Sequence, residues 1–139
     1  MALQAVQMKQ DESQGLRYHI DCRPDFALLS VQIPAGQTLK VEASAMASMD
    51  TNIKMQTKFR GGFGRLLSGE SMFINEFTAE KTAGEIKIAP GPSGDLEHVS
   101  LNNEGILLQN SAFVACSMGV NVETKFQGLM KGFFSGESF

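Results

Sequence analysis

His19, Asp21, Cys22 and Asp25 stand close together in the chain, and imidazole, thiolate and carboxylate are the usual ligands of zinc. Their spacing argues against a site. On a strand His19 and Asp21 share a face while Cys22 points the other way, and His98 is the only other histidine. No metal is expected. Glu70 and Glu137 could act as paired carboxylates in acid–base chemistry. Each, however, sits in the same four-residue setting, Ser68-Gly69-Glu70-Ser71 and Ser135-Gly136-Glu137-Ser138. Repeated turn chemistry, with the side chain bonded to local backbone, accounts for that better than one divided active site. The glycine-rich residues 61–69 lack the lysine-bearing frame of a phosphate loop and read as a flexible connection with a short amphipathic turn. No G-x-S-x-G elbow is present, and Cys116, in an apolar run, reads as a small buried hydrophobe. The expectation is a protein without catalytic residues or a cofactor.

Lys54, Lys58, Arg60 and Arg65 form a basic stretch with no acid between Thr51 and Ser68. RNA would suit such a stretch, but alternation alone places Lys54 and Lys58 on a solvent face. The whole chain carries 12 basic against 15 acidic residues, net -3, so its overall field offers no pull toward nucleic acid.

Positioning these residues requires strands. Residues 52–59 alternate strictly: Ile53, Met55, Thr57 and Phe59 on one face, Asn52, Lys54, Gln56 and Lys58 on the other, the mark of a half-buried strand. Residues 26–33 are apolar enough to be buried on both faces and end in the turn signal Pro34-Ala35-Gly36. Further short strands are expected at 38–43, 45–49, 71–78, 85–89, 96–101, 106–109, 112–116 and 120–126. Pro90-Gly91-Pro92-Ser93-Gly94 divides the two halves. Only 63–68 and 129–135 could be helical, for a turn or two. The fold class is therefore all-β, a sandwich or barrel of short antiparallel strands, with residues 1–15 as a loose lead-in and 16–139 as one domain.

The chain also repeats itself at an offset of 67 residues, as Ser44 to Ser111. Ser44-Ala45 meets Ser111-Ala112, Thr57-Lys58-Phe59 meets Thr124-Lys125-Phe126, and Gly61 meets Gly128. Ile53 and Met55 fall on Val120 and Val122, so pleat parity is kept. A first copy over 16–89 and an incomplete second over 95–139 are expected to cover each other's apolar faces. The shorter second copy predicts either a fragment of a longer repeat protein or a position filled by another chain.

Arg23-Pro24-Asp25-Phe26-Ala27-Leu28-Leu29, Glu42-Ala43-Ser44-Ala45-Met46 and Arg65-Leu66-Leu67-Ser68-Gly69-Glu70-Ser71 together resemble a widespread family. Its eukaryotic members are named for altered inheritance of mitochondria, and its bacterial members carry a domain of unknown function. Thr124-Lys125-Phe126-Gln127-Gly128 fits the same pattern. The resemblance covers residues 16–139. It implies tandem β repeats of a double-stranded β-helix class, similar to the subunit of the tryptophan RNA-binding attenuation protein, and a role in mitochondrial membrane organisation for the eukaryotic members. It brings no catalytic residues.

Phe63, Leu66, Leu67, Leu129, Met130, Phe133 and Phe134 lie in connections, where apolar side chains are tucked under a sheet or offered to a partner. They are the candidate interface. The leading expectation is a non-enzymatic β scaffold that associates with itself and with other proteins, at most peripheral to a membrane. A small-molecule or lipid site in the apolar interior or between repeats is the alternative. Two cysteines without C-x-x-C spacing, no leader-like start and no long apolar run point to a reduced, cytoplasmic setting.

Overall fold

A computed structural model describes residues 9–11, 15–60 and 72–123. Nine strands occur among them: β1 (Lys9–Asp11), β2 (Leu16–Asp21), β3 (Leu28–Ile33), β4 (Thr38–Glu42), β5 (Met46–Met49), β6 (Ile53–Arg60), β7 (Met72–Ala79), β8 (Gly84–Ile88) and β9 (Ala115–Ser117). They form two antiparallel sheets, ordered β1-β2-β3-β8-β5 and β6-β7-β4-β9, and neither closes into a barrel. The protein is all-β. Its one helical turn among the described residues is the 3-10 segment Asn110–Ala112.

Period-two alternation sets the inner faces. In the five-stranded sheet Val31 and Ile33 of β3 stand in register with Ile86 and Gly84 of β8. In the four-stranded sheet Leu39 and Val41 of β4 lie opposite Phe77 and Asn75 of β7. The apolar members of these rows meet in one cluster of Leu16, Val31, Ile33, Leu39, Val41, Ala45, Ile53, Phe77, Ala79, Ile86 and Ile88, drawn from both sheets. Asn75 is buried there with its amide satisfied: its Oδ1 accepts from Thr57 Oγ1 at 2.8 Å and its Nδ2 donates to the Ala43 carbonyl at 3.2 Å.

The chain crosses between sheets at short connections. From β3 to β4 it turns at Pro34-Ala35-Gly36, where Gly36 has φ +79° and the Gln37 N–H donates to the Pro34 carbonyl at 3.0 Å. From β7 to β8 the Asn52 side chain holds the turn, donating to the carbonyls of Thr82 and Ala83 at 2.9 and 3.1 Å.

Several expectations need correction. Residues 26–33 are not buried on both faces: the strand begins at Leu28, and Phe26, in the preceding turn, is 73% exposed. Leu28, Ser30 and Gln32 form an outer face of mixed polarity. Met55 is exposed although it shares the inward face with buried Ile53. Among the described residues β6 has β7 on one side only, and of its described side chains Ile53 reaches the core cluster while Met55 does not. Residues 96–101 and 106–109 form no strand, and 120–123 continue none. Lys9–Asp11, within the expected lead-in, pairs with β2. Of the repeated positions, Ser44-Ala45 lies between β4 and β5 and Ser111-Ala112 in the 3-10 turn. Val120 and Val122 are half-buried beyond β9, and residues 61–71 and 124–139 lie outside the described residues.

Gly84 marks a close approach between the sheets. A Cβ there would fall 2.7 Å from Cγ1 of Ile53 and 3.1 Å from Oδ1 of Asn52. Gly84→Ala must push Ile53 aside or break the Asn52 bonds, and should cost about 1–3 kcal/mol in chemical denaturation, as overpacked cores do. Gly91, with nothing within 4 Å, is the control and should tolerate Gly91→Ala.

Candidate functional site

The groups that could do chemistry are spread over separate faces. His19 and Asp21 project from the outer face of β2 and bond directly, Nε2 to Oδ1 at 2.6 Å. Across the sheet His19 stands opposite Ser30, and Ser30 opposite Lys87. Lys87 donates to Ser30 Oγ at 3.3 Å and pairs with Glu85 at 3.6 Å. Cys22 turns off the end of β2 with φ +58°, and His98 is drawn away to stack on Tyr18, ring centroids 4.8 Å apart. Among the described residues no three of His, Cys, Asp and Glu converge as metal ligands would.

Of the basic stretch, Lys54 and Lys58 are held by acids of neighbouring elements, while Arg65 lies outside the described residues. Lys58 pairs with Glu76 of β7 at 3.3 Å and Lys54 with Glu80 at 3.8 Å. On the same outer face, Lys40 of β4 is buried between Glu76 and Cys116 in register. Its ammonium donates to the Val120 carbonyl at 2.8 Å and lies 3.5 Å from that of Met118. The turn after β9 is thereby bound to the middle of the sheet. Burial pushes the Cys116 thiol up to about 11, with the nearby Lys40 charge offsetting only part of the effect.

An ionic clasp closes the other end. The turn after β2 contains a cis Arg23–Pro24 bond, and the Arg23 guanidinium grips Asp95 at 2.8 and 3.1 Å and Glu97 at 3.1 Å. That fork holds the Asp95 carboxyl below its ordinary range, helped by the Leu96 N–H, and raises Arg23 in turn. Phe26 bridges Gly94, and the Ala27 N–H donates to the Gly94 carbonyl at 3.0 Å. An open depression of ≈ 200 Å³ lies alongside, lined by Pro90, Pro92, Asp95, Leu96, Ser111 and Val114 among others.

Beyond the clasp the chain changes character. Among the described residues, none from 97 to 108 enters a backbone–backbone hydrogen bond. This stretch also carries Val99 at 53%, Ile106 at 46%, Leu107 at 80% and Leu108 at 53% exposure. Three consecutive large aliphatics in the open differ from single surface apolars, which need no explanation. The run Gly105-Ile106-Leu107-Leu108 was readable as apolar, but not as unpartnered. The interface candidates Phe63, Leu66, Leu67, Leu129, Met130, Phe133 and Phe134 all lie outside the described residues.

These features define a two-sheet β protein in which Lys54, Lys58, Lys87, Arg23 and His19 pair with near neighbours and an apolar run stands exposed. Residues 18–139 match the family described as mitochondrial biogenesis AIM24, and the chain belongs to that family, whose function is unknown. It is similar to an uncharacterised protein of Streptococcus pyogenes serotype M6, 26% identical over 133 residues, covering 88% of this chain and 53% of that protein. It is also similar in structure to a crystallised Streptococcus pyogenes protein, with a TM-score of 0.61 at 26% identity over 74% of this chain and 50% of that one. The chain spans about half the length of both relatives. Among the described residues no helix is long and apolar enough to cross a membrane.

The two thiols should separate in alkylation. At mildly alkaline pH exposed Cys22 should react with iodoacetamide while Cys116 reacts only on unfolding or as the pH nears 11, read by peptide mass mapping. Equal labelling of both in the folded protein would contradict the burial of Cys116.

Proposed function

We propose that the chain is a non-enzymatic β scaffold that acts through protein contacts and associates with copies of itself through the apolar run at residues 99–108. The exposed Ile106-Leu107-Leu108 triplet carries this reading. The pairing of Lys54, Lys58, Lys87, Arg23 and His19 supports it, because among the described residues these groups are not gathered over one shared point where a substrate could react.

Magnitudes set the strength of the contact. Burying three such side chains is worth roughly 1.5–3 kcal/mol each, whereas association costs about 4–15 kcal/mol in lost freedom. The balance is a weak complex that forms at high protein concentration. A small-molecule or lipid site is the second reading, and the depression beside Asp95 is its place.

Light scattering across a concentration series should show the mass of the wild-type protein climbing toward that of a dimer. Leu107→Asp should stay monomeric and keep its stability within about 0.5 kcal/mol, as substitutions at exposed positions do. A wild-type protein that is monomeric throughout the series defeats the proposal.

A further inference from the structure

A second copy could add to this fold as a strand at two places, and the two differ in chemistry. One is the outer edge of β6, which has no strand neighbour among the described residues. The other is the run at residues 105–109, which belongs to no strand; among the described residues its one backbone bond is the Gln109 carbonyl accepting from the Ala112 N–H at 2.9 Å.

An antiparallel pair about a two-fold axis normal to the sheet places residues of the same face opposite each other, so the axis must pass at a residue. On β6 this is unfavourable. Centred on Gln56, it sets Lys54 against Lys58; centred on Thr57, it sets Lys54 against Arg60 and Lys58 against Gln56. The strand holds three cations and no acid. Like charges directly opposite destabilise a pair, and lysines along an edge are a known guard against such addition.

The run at 105–109 behaves differently. Centred on Leu107, the two-fold sets Leu107 against its own copy, Ile106 against Leu108, Gly105 against Gln109 and Glu104 against Asn110. Every large aliphatic meets another, and no like charges face each other. Centred on Ile106, the pair would press Leu108 against Glu104; centred on Leu108, it would press Ile106 against Asn110. One register alone matches all three. Ile106 and Leu108 fall on one face of such a strand and Leu107 on the other, so exposure of all three fits a strand wanting cover on both faces.

We infer that two copies of this chain join by antiparallel pairing of residues 105–109 about a two-fold axis at Leu107. The inference rests on the self-association proposed above and fixes its geometry. The contact is isologous, so it closes at two copies rather than growing into a fibre.

Cysteine cross-linking tests it, in a Cys22→Ser background that removes the exposed thiol. Directly opposite residues bring their Cβ atoms within disulfide reach. With oxidised glutathione, Leu107→Cys should give a cross-linked dimer in several-fold higher yield than Ile106→Cys or Leu108→Cys alone. An equal mixture of Ile106→Cys and Leu108→Cys, in which about half the dimers pair the two variants, should recover about half of that yield. If light scattering shows a dimer but Leu107→Cys gives no more cross-link than the others, the pairing is overturned and self-association stands. If no dimer forms at all, both fall.

Discussion

The seam between the two sheets is the constraint from which the rest of the structure follows. Phe77, Ile33, Ile86, Ile88 and Val41 have essentially no contact with water, and they come from strands of both sheets. Neither sheet could keep its inner face apolar alone. The chain therefore crosses from one sheet to the other repeatedly, and the crossings β3–β4, β4–β5, β5–β6 and β7–β8 are all short. The glycine at the β3–β4 turn, the Asn52 bonds at β7–β8 and the missing side chain of Gly84 are consequences of bringing the sheets together. His19, Asp21, Lys87, Lys40, Lys54, Lys58 and Glu76 lie on the two outer faces, where strand register spaces them in rows.

Much of the first half was legible from pattern. Strands were expected at 38–43, 45–49, 52–59, 71–78 and 85–89, and each appears within a residue or two, because alternation and turn chemistry are local signals. The faces were less secure. Met55 has the parity of an inward residue but sits where its edge strand has passed the core, and alternation says nothing about which strand is an edge. Phe26 is large and apolar, yet the Cys22–Phe26 turn carries it out of the sheet. Residues 96–101 and 106–109 have strand composition without a strand to pair with among the described residues. A strand needs a second strand, and that is not written in its own residues.

The candidate site shows the same limit. His19 and Asp21 share a face as parity requires, whereas burial of Lys40 under two carbonyls has no local signature. Nothing in Thr-Leu-Lys-Val-Glu distinguishes a lysine that will lie inside from one that will point to solvent. The aliphatic triplet was visible as letters, but exposure is a property of what fails to arrive from elsewhere in the fold.

The Arg23 clasp bears on this last point through entropy. Upstream of the triplet, Asp95 and Glu97 are gripped by the guanidinium; downstream, the chain enters the 3-10 turn and β9, which is hydrogen-bonded to β4. The intervening stretch is thus a short bridge anchored on both banks, not a free tail. Closing both ends in folding removes in advance the loop-closure part of the entropy that docking a free tail would cost.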